Sequence, residues 1–164
     1  MKILTSRTSR VVAAVAVQLA LVPVAVADQL SARLTGEEYL LEVAPVDPMD
    51  PFRGAYVALS YPGLPNSQDL VERPDAGGDV AYVPLRQSGE VWVGETPVAD
   101  PPEGPYLRCS DEGWRLRCGI ESWFLPQEDA WALEQAVNDG RAVARVRVDG
   151  RGNAALVDVE VRDH

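Results

Sequence analysis

Lysine and histidine are nearly missing from this chain of 164 residues. Lys2 is the only lysine, and His164 is the only histidine. A serine becomes a useful nucleophile only beside an activating base. Because no lysine follows Lys2, catalysis by a serine with a downstream lysine base is excluded.

Cysteine is also scarce, which bears on metal binding. Cys109 and Cys118 are the only two cysteines, nine positions apart. Zinc sites use Cys and His at short, repeated spacing, and calcium sites need several oxygen ligands from one compact loop. Asp47 and Asp50, which flank a proline corner, do not provide that density of ligands. The sequence therefore predicts no metal site and no cofactor.

Positive charge is sparse as well. The chain has 15 basic and 25 acidic residues, which gives a net charge of −10. Without residues 1–27 it has 12 arginines against 25 acidic residues, and its net charge is −13. Such a surface is repelled by nucleic-acid phosphates and by anionic lipid headgroups. Nucleic acid is therefore excluded as a partner, and the acidic surface is explained by solubility.

The first 27 residues have the three parts of an export signal. Positive residues are followed by an apolar run from Val11 to Val22 and by the small-x-small sequence Ala25-Val26-Ala27. We expect this segment to engage the export machinery, with Pro23 ending the helix and cleavage after Ala27. The alternative is an uncleaved membrane anchor over residues 11–27. Either way, residues 28–164 form one domain in the bacterial periplasm, released or anchored to the inner membrane.

Short alternating segments separated by Pro-rich and Gly-rich loops predict a mainly-β domain. The segment Glu38 to Val46 is expected to pair antiparallel with Ala55 to Tyr61. Three further pairs are predicted: Val80 to Leu85 with Val91 to Glu95 across Gln87 to Gly89, Tyr106 to Cys109 with Trp114 to Ile120 across Ser110 to Gly113, and Ala142 to Val148 with Ala154 to Val161 across Asp149 to Gly152. With one helix from Pro126 to Asn138, the pattern predicts a single antiparallel β-barrel or β-sandwich. Leu30 to Gly36 either prolongs the leader helix or forms a short linker.

The spacing Gly54-x-Tyr56-x-x-Leu59-x-Tyr61 is distinctive. It resembles the motif of the GDYXXLXY family. The resemblance extends to other segments over residues 37–161: Pro45 to Pro48, Arg53, Cys118 to Glu121, and Trp123 to Pro126. It implies an envelope protein with an N-terminal hydrophobic segment, of a kind often encoded beside multi-pass membrane proteins. It implies no reaction.

The motif positions are interpreted as structural, and no catalytic residue is predicted. They are Asp47, Pro48, Arg53, Gly54, Tyr56, Leu59, Tyr61, Gly119, Glu121, Phe124 and Pro126. We expect Glu121 to pair with an arginine such as Arg53. We also expect Leu59 and Tyr61 to be buried on one face of a central strand, with Tyr56 at least half buried on the other. The chain departs from the family pattern at Met49, Ala55 and Gln127, which we expect to lie close together.

A disulfide between Cys109 and Cys118 is favoured, because export brings both thiols into an oxidising compartment. A tight turn at Ser110 to Gly113 would leave Cys118 too far along the partner strand to be bridged. A wider turn would bring the two cysteines together, and the sequence does not decide between the turns.

These observations predict a non-catalytic envelope protein that acts through a membrane-protein partner. The rival hypothesis is a hydrolase that uses Glu121 with a second carboxylate. Two facing carboxylates in a concave site would favour the hydrolase.

Overall fold

A computed structural model describes residues 7–45, 56–65, 80–112, 115–124, 133 and 135–162. Its elements in chain order are α1 (Arg7–Thr35), β1 (Glu37–Glu42), β2 (Ala44–Pro45), β3 (Tyr56–Ser60), β4 (Val80–Ser88), β5 (Val91–Gly94), β6 (Tyr106–Asp111), β7 (Leu116–Arg117), β8 (Ser122–Phe124), a helix α2 that contains Leu133 and residues 135–138, β9 (Ala142–Val148) and β10 (Ala154–Val161).

The helix α1 is longer than the sequence analysis predicted. The expected end at Pro23 is wrong, because the helix continues to Thr35. Proline removes one helical hydrogen bond, but the helix continues through Pro23 without a break. Of the two alternatives for residues 30–36, the prolonged helix is the one observed. The helix is long and apolar enough to cross a membrane, a property that a cleaved export signal shares.

Seven strands form one mixed sheet, in the order β10-β9-β1-β5-β4-β6-β7. β1 pairs antiparallel with β9, where Glu37 lies opposite Val148, and it pairs parallel with β5, where Leu41 lies opposite Trp92. The mainly-β prediction is confirmed. The parallel β1–β5 pair departs from the antiparallel sheet that we predicted, and the sheet is not closed into a barrel.

Three strands form a second sheet, in the order β2-β3-β8. The predicted strand over residues 38–46 is divided at Val43, whose backbone N–H donates to the Ala142 carbonyl at 3.5 Å. Only its last part pairs with β3, where Ala44 lies opposite Ser60. The chain thus passes from the large sheet to the small one at a buried valine.

The predicted hairpins are present with adjusted turns. β4 and β5 are joined at Gly89 and Glu90, slightly later than predicted, and Ser88 pairs with Val91. β9 and β10 have the predicted bounds. The predicted helix is described from Leu133 onward, and its helical residues end at Asn138 as expected.

One continuous core takes side chains from both sheets and from α2. Leu59 of β3 and Tyr61, which directly follows β3, are buried in it, as the alternating pattern predicts, and β3 is the middle strand of its sheet. Leu133 and Val137 pack into the same core from α2. The small sheet and the helix therefore close over one side of the large sheet's apolar residues.

The large sheet curls until β6 reaches the turn between β9 and β10. This turn, residues 149–153, is called the β9–β10 tip below. The Arg108 N–H donates to the Gly152 carbonyl at 2.8 Å. Gly152 has φ 78°, and a Cβ atom there would lie 2.5 Å from the Tyr106 ring and 2.9 Å from the Arg108 nitrogen. Only glycine permits this close approach.

Replacing Gly152 tests this contact. We expect Gly152→Ala to lower the free energy of unfolding by about 1–3 kcal/mol, because the new methyl group collides with β6 and the backbone angle disfavours a side chain. Gly150→Ala is the matched control, since a Cβ at Gly150 meets nothing within 4 Å. Urea unfolding of both variants measures the difference. Equal stability of the two variants would contradict the proposed close approach.

Candidate functional site

The motif residues Leu59 and Tyr61 contact the turn formed by residues 118–121. We call this contact region the Tyr61 junction. The Tyr61 hydroxyl donates to the Ile120 carbonyl at 2.7 Å. The Leu59 N–H donates to the Glu121 carbonyl at 2.9 Å. Ile120 is fully buried. Four of the predicted positions, Leu59, Tyr61, Gly119 and Glu121, are thereby brought together from two distant parts of the chain.

The Glu121 carboxylate holds the turn that precedes it. It accepts the Cys118 N–H at 2.5 Å and the Gly119 N–H at 3.1 Å. Gly119 has φ 82°, so the turn requires glycine. Backbone amides at these distances occupy the carboxylate in a structural role. The expected pairing of Glu121 with Arg53 lies outside the described residues.

The Tyr61 phenol is unsuited to proton exchange. Burial raises its pKa well above the usual value of 10.0, and the nearby Glu121 charge raises it further. The phenol is therefore neutral at any physiological pH and acts as a hydrogen-bond donor. The geometry assigns Tyr61 and Glu121 to holding the two segments together.

A disulfide between Cys109 and Cys118 attaches the same turn to β6, with Cα atoms 4.1 Å apart. The predicted turn at Ser110 to Gly113 is wrong, because β6 continues to Asp111 and the chain turns two residues later, where the Glu112 N–H donates to the Arg115 carbonyl. Ser110 then lies opposite Arg117, which places the cysteines directly opposite each other. The Tyr61 junction is thus bound to both sheets.

The other motif positions are only partly described. Tyr56 lies opposite Phe124 in the pairing of β3 with β8. The expected half-burial of the Tyr56 side chain lies outside the described residues. So do Asp47, Pro48, Arg53, Gly54 and Pro126, together with the expected proximity of Met49, Ala55 and Gln127.

Tyr61→Phe tests the junction. The substitution leaves the buried Ile120 carbonyl without its donor, and we expect it to cost about 1–3 kcal/mol of unfolding free energy. Tyr82→Phe is the control, because the Tyr82 hydroxyl makes no hydrogen bond among the described residues and should change little. Thermal or urea unfolding measures both. A loss no larger than that of the control would show that the hydroxyl does not hold the turn.

A second junction joins the end of α1 to β9 and β10, and we call it the helix junction. The Ser31 hydroxyl donates to the Asp149 carboxylate at 2.6 Å. The Arg33 guanidinium donates to the Leu156 carbonyl at 3.2 Å. Between them Ala32 is fully buried. Residues 31–33 of the helix are therefore part of the folded domain.

Arg147 of β9 binds the C-terminal end of α1. Its guanidinium donates to the Gly36 carbonyl at 3.1 Å and to the Arg33 carbonyl. A cation at this end is favoured, since the last carbonyls of a helix have no partner within it and carry partial negative charge. A Cβ at Gly36 would meet the Ala32 carbonyl oxygen and, at 2.9 Å, the Val148 backbone. The helix end and β9 are thus in close backbone contact.

Asp149 is the buried acid of the helix junction. Burial opposes its ionisation, but the Ser31 hydroxyl, the Asn153 amide and the N–H groups of Arg151 and Asn153 together outweigh that cost. The pKa of Asp149 is thereby lowered from 3.8 to about 2. The carboxylate holds the β9–β10 tip and the helix at once.

The stability of the domain should depend on pH through Asp149. Because its folded-state pKa lies below the ordinary value, the ionised group stabilises the fold above about pH 4, by on the order of 2 kcal/mol, and this is lost as the pH falls from about 4 to about 2. We expect Asp149→Asn to be destabilising at pH 7 and much less so at pH 2. The exposed Asp100→Asn is the control. A stability difference that does not change over this range would contradict the assignment.

Sequence reasoning missed the helix junction. The sequence predicts the turn at Asp149 to Gly152 but no partner for Asp149. Asp and Asn often bond the backbone of their own turn, which was a usable signal. The partner Ser31 is 118 positions away, and only the fold brings the two together.

Neither junction offers a metal site, since the described residues contain no cluster of three or more His, Cys, Asp or Glu side chains placed to bind an ion.

Comparison with known proteins gives one match. The family model described as GDYXXLXY protein matches residues 18–159, which include both junctions. No curated protein and no solved structure matches the chain.

Proposed function

The chain belongs to the GDYXXLXY family, and from that premise we propose that it is an envelope protein retained in the inner membrane by α1. The helix holds the β domain against the periplasmic face of the membrane, where the domain is an accessory of a membrane protein. The proposed role is non-catalytic.

Retention is supported by the continuity of α1 with the domain. The apolar part of the helix is exposed, with Val12 and Leu19 more than half accessible. The same helix continues into the contacts of Ser31, Ala32 and Arg33 with the hairpin. An exposed apolar surface of this length requires a membrane or a partner, and cleavage after Ala27 would cut inside a continuous helix.

The chemistry of the Tyr61 junction supports a non-catalytic role. Glu121 was the proposed acid or base of the rival hydrolase. Its carboxylate instead accepts hydrogen bonds from the Cys118 and Gly119 backbones, so both of its oxygens are engaged in holding the turn. No observation favours the hydrolase, and we do not propose it.

The intact mass and location of the protein test retention. The full chain, tagged at its C-terminus, is expressed in a bacterium, and membranes are washed with alkaline carbonate. We expect the protein to remain in the membranes at its uncleaved mass, with Cys109 and Cys118 unreactive to thiol labelling under denaturing, non-reducing conditions. The control replaces residues 1–27 by a cleavable signal, which should release a soluble domain.

Two results would overturn the proposal. A mature protein that begins at Asp28 and appears in the soluble fraction would exclude retention. Two reactive thiols would place the domain in the cytoplasm. The partner is sought by purifying the tagged chain from detergent-solubilised membranes, and a membrane protein that co-purifies with the full chain but not with the released control supports the accessory role.

A further inference from the structure

The depth of Arg151 relative to the membrane follows from two things. One is the helix junction, and the other is the retention of α1 in the membrane, on which this inference rests. Arg10 and Asp28 are consecutive charged residues of the helix, and the segment between them carries no charge. The apolar part therefore ends at Ala27. Asp28 follows at a rise of about 1.5 Å. The Arg151 guanidinium lies 3.9 Å from the Asp28 carboxylate, so it is level with the end of the apolar span.

The headgroup region of a bilayer is about 5–8 Å thick on each side of the hydrocarbon. A group level with the first residue after the span lies within that layer. Residues 11–27 are at the short end of what a bilayer requires, so any mismatch draws the domain toward the lipid. We propose that the β9–β10 tip inserts into the phospholipid headgroup layer and that Arg151 binds lipid phosphate there.

The Arg151 side chain is suited to phosphate. It is 67% exposed, and its ion pairs with Asp28 and Asp149 are 3.9 and 3.5 Å long. Both exceed the 2.7–2.9 Å typical of a charge-assisted hydrogen bond. A guanidinium presents two parallel donors that match two phosphate oxygens. The Asp149 oxygens are already engaged by Ser31 and Asn153, so Asp149 competes weakly for the guanidinium.

Aromatic neighbours of the tip fit the same environment. The Tyr106 hydroxyl donates to the Gly150 carbonyl at 3.4 Å, and its ring packs edge-on against Tyr82 with centroids 5.7 Å apart. Both tyrosines are partly exposed. Tyrosine is enriched where membrane meets water, because its ring is apolar and its hydroxyl is polar.

The acidic charge of the whole domain makes lipid phosphate, and not lipid net charge, the expected target. At −13 the domain is repelled by a strongly anionic surface. Phosphate is also present in zwitterionic phospholipids, where that repulsion is absent. The tip is held rigidly by Asp149 and by the Arg108–Gly152 contact, so its position at the membrane is built into the fold.

Fluorescence labelling of the full chain in phosphatidylcholine vesicles tests the inference. Gly150→Cys receives an environment-sensitive dye, which the open space at Gly150 accommodates, while the native cysteines are bonded to each other. Glu90→Cys is the matched control at the opposite end of the domain, since Glu90 pairs with Arg162 just beyond β10. We expect the dye at position 150, but not at position 90, to be shielded from an aqueous quencher.

Variants of Arg151 test the phosphate contact in the same preparation. Arg151→Gln should increase the quencher accessibility of the dye at position 150 severalfold, because it removes the charge-assisted hydrogen bonds to lipid phosphate. Arg151→Lys should give a quencher accessibility between that of the unchanged protein and that of Arg151→Gln, because lysine keeps the charge and loses the paired donors. Arg86→Gln, which removes an exposed arginine paired with Glu95, should change nothing.

Each other outcome overturns the inference in a distinguishable way. Equal quenching at positions 150 and 90 in protein of uncleaved mass rejects it and leaves retention intact. Protein that begins at Asp28 rejects both. Shielding that requires an anionic lipid shows attraction by charge without phosphate recognition, and shielding seen only in native membranes shows that a protein covers the tip.

Discussion

The ionised carboxylate of Asp149 is the interaction on which the arrangement of this protein depends. It is buried at the β9–β10 tip and accepts hydrogen bonds from Ser31, from Asn153 and from the Arg151 backbone. A buried charge is tolerated only when it is satisfied in this way. Its donors come from α1 and from the turn itself, so one group determines both the shape of the turn and the position of the helix.

The Tyr61 junction fixes the position of the small sheet, as Asp149 fixes the position of α1. A tyrosine hydroxyl, a glutamate carboxylate and a disulfide all converge on residues 118–121. The two motif residues whose burial the structure describes, Leu59 and Tyr61, are buried and donate hydrogen bonds to this turn.

The two junctions together connect every layer of the described structure. α1 is held by the hairpin, the hairpin tip touches β6, and β6 carries the cysteine bonded to the turn that holds β3. A displacement of α1 would therefore be transmitted through these contacts to the small sheet. Such a connection fits the proposed role, in which the domain is held in one orientation beside a membrane protein.

The comparison of sequence with structure separates local from distant causes. The bounds of β9 and β10, the end of α2 and the alternating burial of Leu59 and Tyr61 followed from patterns within a few residues of each other. The end of the leader helix did not, because residues 31–33 of the helix pack against the domain, and the sequence near Pro23 contains no signal of that distant contact. The β1–β5 parallel pair had no local signal either.

The sequence by itself determined the class of the fold, the family and the absence of lysine-based chemistry, because composition, alternation and spacing are properties of neighbouring residues. The tertiary structure alone decided the partners of Glu121 and Asp149, and it placed Cys118 opposite Cys109 through a turn that lies two residues later than the predicted one. Hydrogen bonds across 59 or 118 positions depend on where the whole chain folds. No local propensity encodes that choice.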